Sequence, residues 1–134
     1  MSLSLQLQGL IYQRLVADDA VGALCHDRIY DRVPENRVFP YISFGPSDTI
    51  EDDAECITGE VETLQIDCWS RYDGGYKEVK DMTGAVKSAL HLYAGELATD
   101  ALVELRVVGI RHFRDPDGLT SHGVVTVQAI MEEA

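Results

Sequence analysis

Basic residues and cysteines are both scarce in this chain of 134 residues. It has 11 Lys and Arg against 23 Asp and Glu, which gives a formal net charge of -12. A general nucleic-acid-binding protein needs a basic face that displaces the counterions of phosphates, so this charge argues against that class. The three cysteines, Cys25, Cys56 and Cys68, form no C-x-x-C pair. An odd number without pairing argues against a disulfide scaffold and favours a reducing compartment.

Long apolar runs are also missing. No stretch approaches the ~20 apolar residues of a membrane-spanning helix. Residues 1–6 lack the basic start and the apolar run of a secretion signal. We therefore expect no membrane partner and synthesis in the cytoplasm. The length predicts a single domain over residues 1–134, because folded units cluster near ~100–150 residues.

The acidic residues are concentrated in one block, residues 48–62, which contains seven acids and no base. More than half of the net charge lies there. The calcium-loop pattern D-x-D-x-D-G is absent, so a solvated loop with extended flanks is preferred over a cation site. We predict that the block offers an interaction surface at four of its acids, Glu51, Asp52, Asp53 and Glu55.

Helical spacing of apolar residues predicts a first helix over residues 3–17. Asp18-Asp19 is expected to end it and to cap a short turn over residues 20–25. The longest helix is predicted over residues 76–93, with Gly95 as a left-handed C-terminal cap.

Four strands are predicted from period-two alternation and from turn residues. Residues 41–44 are expected to form a strand that Gly45-Pro46 closes, and residues 60–70 form the next. The last two strands are predicted to pair antiparallel on either side of the turn at residues 115–118. The proposed register places residue 107 opposite 127, 105 opposite 129, 103 opposite 131, and His112 opposite His122.

The predicted order is helix, strand, strand, helix, strand, strand. Because helices and strands are segregated, the fold class is α+β: a mostly antiparallel four-stranded sheet with two helices packed on one face. Cys68 lies in the strand-like run over residues 60–70 and is expected to be a small core residue.

No catalytic or cofactor motif emerges from the sequence. His112 and His122 would supply two metal ligands where zinc usually takes three or four, so we predict no metal site. Ser121 and His122 are neighbours in a strand and point to opposite faces, which prevents a nucleophile and base pair. Gly74-Gly75 precedes a helix, but no phosphate-loop pattern accompanies it, and we interpret the run Asp73-Gly74-Gly75 as a chain break. We expect no cofactor and no enzymatic activity.

An aromatic and basic group follows the strand over residues 60–70. Trp69 alternates with the apolar residues of that strand, so it lies on the opposite sheet face. Arg71 and Tyr72 come directly after it, and aromatics and Arg are enriched where proteins meet. Two interpretations stay open: Trp69, Arg71 and Tyr72 form an interaction surface, or Trp69 covers a small second core.

The chain carries an ordered set of short motifs: residues 28–34, residues 39–42, Asp67-Cys68-Trp69-Ser70-Arg71, the helix with Val86 and Ala89-Leu90, residues 113–118, and His122-Gly123. In this order and spacing, they resemble the motifs of the small tail-completion, or tail terminator, proteins of long-tailed phages and related gene-transfer agents. No single motif is specific, but together they span most of the chain. The length and acidity of residues 48–62 depart from the family pattern.

The resemblance implies a structural, non-enzymatic role at the head-proximal end of the tail tube. Family members form a ring, typically of six subunits, that stops tube polymerisation and meets the head connector. The implied partners are copies of this chain, the tail tube protein and the connector protein. DNA would pass through the ring without specific binding. The implied location is the host cytoplasm during assembly and the particle tail afterwards.

Two positions follow for the acidic block. It lines the channel, where it repels phosphates, or it docks on a basic patch of a neighbouring tail or connector protein. Two other functions stay open as alternatives. One is an adaptor between head and tail, and the other is a small metal- or ligand-binding host protein that would retain metal through His112 and His122.

Overall fold

Three helices and five strands build the chain in the computed structural model, which describes residues 1–72 and 75–134. Asp73 and Gly74 of the predicted break lie outside the described residues. The elements are α1 Leu3–Ala17, α2 Asp19–Cys25, β1 Ile29–Tyr30, β2 Tyr41–Glu51, β3 Gly59–Ser70, α3 Lys77–Leu90, β4 Ala101–Arg114 and β5 Ser121–Glu132.

The sheet has the order β1-β2-β3-β5-β4. Strand β1 pairs parallel with β2, and all other pairs are antiparallel. The predicted α+β class is confirmed, but the predicted four-stranded sheet with two helices is corrected to a five-stranded mixed sheet with three helices. Strand β1 has two residues, too few to show the alternation by which a strand is recognised in a sequence.

The N-terminal helices follow the sequence closely. Helix α1 buries the predicted apolar stripe, and the Ser2 hydroxyl accepts from the Leu5 amide at its start. The Asp18 carboxylate accepts from the Val21 amide, which confirms the predicted cap. The segment predicted as a turn over residues 20–25 is a helix of seven residues, because this cap lets its backbone continue.

Strand β2 does not end at Gly45-Pro46. The register with β3 shifts by one residue between Phe44 and Ser47, so the dipeptide forms a β-bulge inside the strand. A proline fits there because its nitrogen donates no ladder hydrogen bond. A Cβ on Gly45 would lie 2.5 Å from Asp67 Oδ2, so a larger residue there would force the Asp67 side chain to move. The predicted strand end at residue 44 was wrong for this reason.

Helix α3 packs tightly on the sheet and ends at Leu90, three residues before its predicted end. A Cβ on Gly123 of β5 would lie 2.5 Å from Thr83 Cγ2 of the helix. The chain leaves the helix because the Leu92 amide donates to the Leu105 carbonyl, 2.8 Å away, on strand β4. The left-handed residue is Leu92, with φ of 60°, and the predicted cap at Gly95 was wrong.

The C-terminal hairpin confirms part of the predicted register. Val107 faces Val127 and Leu105 faces Ala129. Bulges in β4 then shift both ends: residue 102 instead of 103 faces Met131, and His112 faces Gly123 instead of His122. An extra residue in one strand moves every later side chain by one position, which no alternation pattern reveals in advance.

One hydrophobic core joins the three helices to one face of the sheet. Cys68 is fully buried in it, as predicted. We call the sheet side toward the helices the covered face and the other side the open face. The core includes Leu7, Ile11, Leu15, Val21, Cys25, Ile42, Ile66, Cys68, Val79, Val86, Leu90, Leu105, Val125, Val127 and Met131.

Candidate interaction surface

The acidic block forms a projecting hairpin. We call residues 48–62 the acidic hairpin; it consists of the end of β2, a tip over residues 52–58 and the start of β3. The Asp52 amide donates to the Gly59 carbonyl, and the Gly59 amide donates to the Asp53 carboxylate at 3.0 Å. Residues 48–58 are all exposed. The predicted loop is thus confined to the tip, and its predicted extended flanks are two paired strands.

The seven acids of the hairpin fall into two groups. Glu60 and Glu62 point to the covered face and are partly or fully buried, while the others are exposed. In the described part of the chain, none of the seven forms an ion pair. Their field is therefore not neutralised locally and acts on whatever approaches this end of the sheet. The exposed group is Asp48, Glu51, Asp52, Asp53 and Glu55.

Glu62 is an acid in an apolar position. Its residue is 2% exposed, and Thr49 Oγ1 lies 3.4 Å from its carboxylate. Burial raises the pKa of Glu62, a hydrogen bond from Ser4 counteracts this, and the neighbouring Glu60 adds to the rise. One oxygen of Glu60, Oε2, is buried with no hydrogen-bond partner among the described residues.

Replacing Glu62 with glutamine should change how stability depends on pH. A folded-state pKa above the unfolded one means that the folded state holds more protons, so Glu62 costs stability as pH rises above 4.5. We expect Glu62→Gln to raise the Tm by a few degrees at pH 7 and to have no effect near pH 4. Thermal denaturation across this range measures the difference. Glu55→Gln is the exposed control, and an equal shift in both variants would contradict the assignment.

At the opposite end of β3, ring side chains pack together on the open face. We call Phe39, Tyr41, Trp69, Phe113 and His122 the aromatic cluster. The Trp69 ring stacks on His122 at a centroid distance of 3.8 Å and on Tyr41 at 6.1 Å. Its indole N–H donates to the Ser43 hydroxyl at 2.9 Å. These contacts match the interpretation of Trp69 as part of a small second core.

One ring of the aromatic cluster, His122, also belongs to a buried polar pair. His122 Nε2 is 2.6 Å from Asp67 Oδ1, and both residues are less than a tenth exposed. Gln65 Nε2 donates to the same oxygen at 2.8 Å. In the sequence, Asp67 stands out only as the first residue of the matching motif Asp67-Cys68-Trp69-Ser70-Arg71, and no role was predicted for it. The available signal was its place two residues before Trp69, which puts both on one sheet face.

Arg71 and Tyr72 lie beside this cluster. The Arg71 guanidinium is 4.3 Å from the centre of the Phe39 ring, and its Nε donates to Thr120 Oγ1. It also reaches Asp117, whose pKa is lowered to about 2 by hydrogen bonds from Thr120, first of all from its backbone. Tyr72 is 59% exposed. Arg71 is thus anchored, while the Tyr72 side chain faces solvent.

The predicted site residues do not form one surface. Glu60, at the base of the acidic hairpin, and Trp69 are nine residues apart on one strand, which corresponds to about 30 Å. The two groups therefore lie at opposite ends of the sheet. Glu51, Asp52, Asp53 and Glu55 share the acidic end, and Trp69, Arg71 and Tyr72 share the aromatic end.

The two histidines that sequence analysis paired lie on different faces. His112 Nε2 is 2.8 Å from Thr83 Oγ1 on the covered face, and burial lowers its pKa. His122 is on the open face with Asp67. The register shift in β4 separates them, so the predicted pair was wrong. Among the residues that the structure describes, no three potential metal ligands are grouped, and no helix combines the length and apolarity needed to span a bilayer.

The fold thus carries two chemically different ends, the acidic hairpin and the aromatic cluster. Residues 9–132 match the family model of tail completion protein gp17. The chain belongs to this tail completion family, which confirms the resemblance found in the sequence. The family is structural, so the chain is a structural tail protein and not an enzyme.

A solved structure extends this comparison to the whole fold. The chain is similar to one in the virion of a native gene transfer agent particle, with a TM-score of 0.91 and 26% sequence identity. The match covers 98% of both chains. No curated protein matches the sequence significantly.

Proposed function

We propose that this protein forms a ring at the head-proximal end of the tail tube, ends tube polymerisation there and joins the tail to the head connector. The observation that supports this most is the match over 98% of the chain to a protein of a gene transfer agent virion. The family match over residues 9–132 supports the tail as the part of the particle in which the protein acts. The protein is then assembled in the host cytoplasm and remains in the particle.

A ring of six copies is the arrangement we propose, with the tail tube protein and the connector protein as its other partners. The net charge of -12 suits a channel through which DNA passes without specific binding, since acidic surfaces repel phosphates. At the aromatic end, Tyr72 and Leu119 are each about 60% exposed, and Arg71 lies nearby. We propose this end as a contact with an axial neighbour, because aromatic and Arg side chains are enriched in interfaces.

Removal of the gene from its phage or phage-like element tests the proposal. We expect tail tubes of irregular length and heads without attached tails, both visible by electron microscopy, with rescue by the wild-type gene. Tubes of normal length that fail to attach would support the alternative role as a head-tail adaptor. Normal particles made without the protein would refute both roles. Mass measurement of the intact ring, free or on the tube, gives the number of copies.

A further inference from the structure

Helix α3 exposes a basic stripe. The three lysines of the chain, Lys77, Lys80 and Lys87, all lie on its exposed face. Their spacing of three and seven residues aligns them along the helix. Gly84 stands between Lys80 and Lys87, and open space surrounds the position where its Cβ would be. The face therefore combines positive charge with a flat centre.

Two of these lysines form no ion pair within the part of the chain that the structure describes. Lys77 forms an ion pair with Asp81 at 2.8 Å. Lys80 and Lys87 form none with any residue in the ranges 1–72 and 75–134. Lys80 lies 6.0 Å from the centre of the Tyr76 ring. Their charges are available to a partner.

The acidic hairpin of the same chain is the matching surface. Among the described residues its exposed acids form no ion pair, and Ile50 and Ile57 beside them are 66% and 42% exposed. Within one chain the two surfaces form no ion pair with each other among the described residues. Two different, complementary surfaces on one chain are what a head-to-tail interface requires, and such an interface forms a ring when the rotation from one copy to the next closes.

We propose that the lysine face of α3 receives the acidic hairpin of a second copy of this chain. This inference rests on the proposed ring and names the contact that closes it. Asp52, Asp53 and Glu55 at the tip face Lys80 and Lys87 of the neighbour, and the exposed isoleucines pack on the lysine stems and near Gly84. In this contact the negative charge of the acidic hairpin lies between two subunits.

The chain offers its own probes for a cross-linking test. Cys56 is exposed at the hairpin tip, while Cys25 and Cys68 are buried. Every lysine amine lies on α3. A short cross-linker that joins a thiol to an amine should link Cys56 of one copy to Lys80 or Lys87 of the next, in assembled rings or whole particles. Mixed isotope-labelled copies distinguish links between chains from links within a chain, and Cys56→Ser removes them.

Charge reversal gives an independent test. Lys80→Glu with Lys87→Glu, or Asp52→Lys with Asp53→Lys, should weaken association of the copies at least tenfold, and the four changes together should restore it. Arg106→Glu, an exposed basic residue on the open face, is the control and should have little effect.

The outcomes distinguish failure of this contact from failure of the proposed function. Links from Cys56 only within one chain, only to the N-terminal amine or only to lysines of another protein would overturn the contact. So would intact rings in both charge-reversal variants. If particles lacking the gene show the tail defect but the cross-links or the charge reversals give one of these contrary results, the ring function stands and this interface fails. If the cross-links form but loss of the gene leaves particles normal, the interface stands and the function fails.

Discussion

Replacing Trp69 with alanine is expected to lower the free energy of unfolding by about 3 kcal/mol. The indole ring stacks on His122 and Tyr41 and donates to the Ser43 hydroxyl, so its removal empties the centre of the aromatic cluster. Denaturant unfolding of the variant measures this loss. The experiment also decides between the two interpretations of Trp69, since a residue used only for docking would leave the stability unchanged.

Tyr72→Ala is the matched control for this experiment. Its side chain is 59% exposed, and surface substitutions usually change stability by less than about 0.5 kcal/mol. We expect Tyr72→Ala to unfold like the wild type. Equal stability losses in the two variants would mean that the aromatic cluster does not act as a second core.

Removal of the buried Asp67 carboxylate should lower the free energy of unfolding by a comparable amount. Asp67→Ala removes the acceptor of the buried His122 and of the half-buried Gln65, so both side chains lose this partner. We expect a loss of about 3 kcal/mol, because breaking a buried pair leaves a desolvated group unpaired. Asp67→Asn retains an acceptor of the same shape and should lose less. Chemical denaturation of both variants measures the two effects.

Asp81→Ala provides the contrast on the surface. Its ion pair with Lys77 has a similar distance, 2.8 Å, but the lysine side chain is 82% exposed. An exposed pair of this type contributes little to stability, because solvent screens the two charges. A loss at Asp81 as large as that at Asp67 would show that burial is not the cause of the difference.

Parts of the fold with regular periodicity were predictable. The helical stripe of α1 and the alternation in β3 gave these elements within a residue of their observed bounds. The placement of Cys68 inside the core and of Trp69 on the opposite face followed from the same alternation. The motif order also led to the correct family. The helix, the strand and the two side-chain placements depend on neighbouring residues only, whereas the family resemblance depends on the order of motifs along most of the chain.

The errors occurred where the pairing of strands is irregular. The bulge at Gly45-Pro46 lengthens β2, and the bulges in β4 move His112 away from His122. Leu92, not Gly95, takes the left-handed conformation because the chain turns to bond with β4. Such features depend on a partner strand that is distant in the sequence, so local patterns do not reveal them.

The sequence indicated residues of the candidate site, but it did not predict how they are arranged in the fold. The acids at residues 51–55 are exposed as expected, while Glu62, in the same acidic block, is buried. The pairing of Asp67 with His122 was not predicted, because a single acid in a strand gives no sequence pattern that points to its partner. The two predicted groups lie at opposite ends of the sheet, and their separation follows from the length of β3.

The sequence alone determined the fold class, the main helices and strands, and the acidic character of residues 48–62, because these depend on the spacing and charge of residues close together in the chain. It also led to the family, because the order of short motifs along the chain can be compared without a structure. Only the tertiary structure decided the strand order, the bulges, the burial of Glu62 and Asp67, and the opposite placement of the acidic hairpin and the aromatic cluster. These depend on contacts between distant segments, and such contacts exist only once the chain has folded.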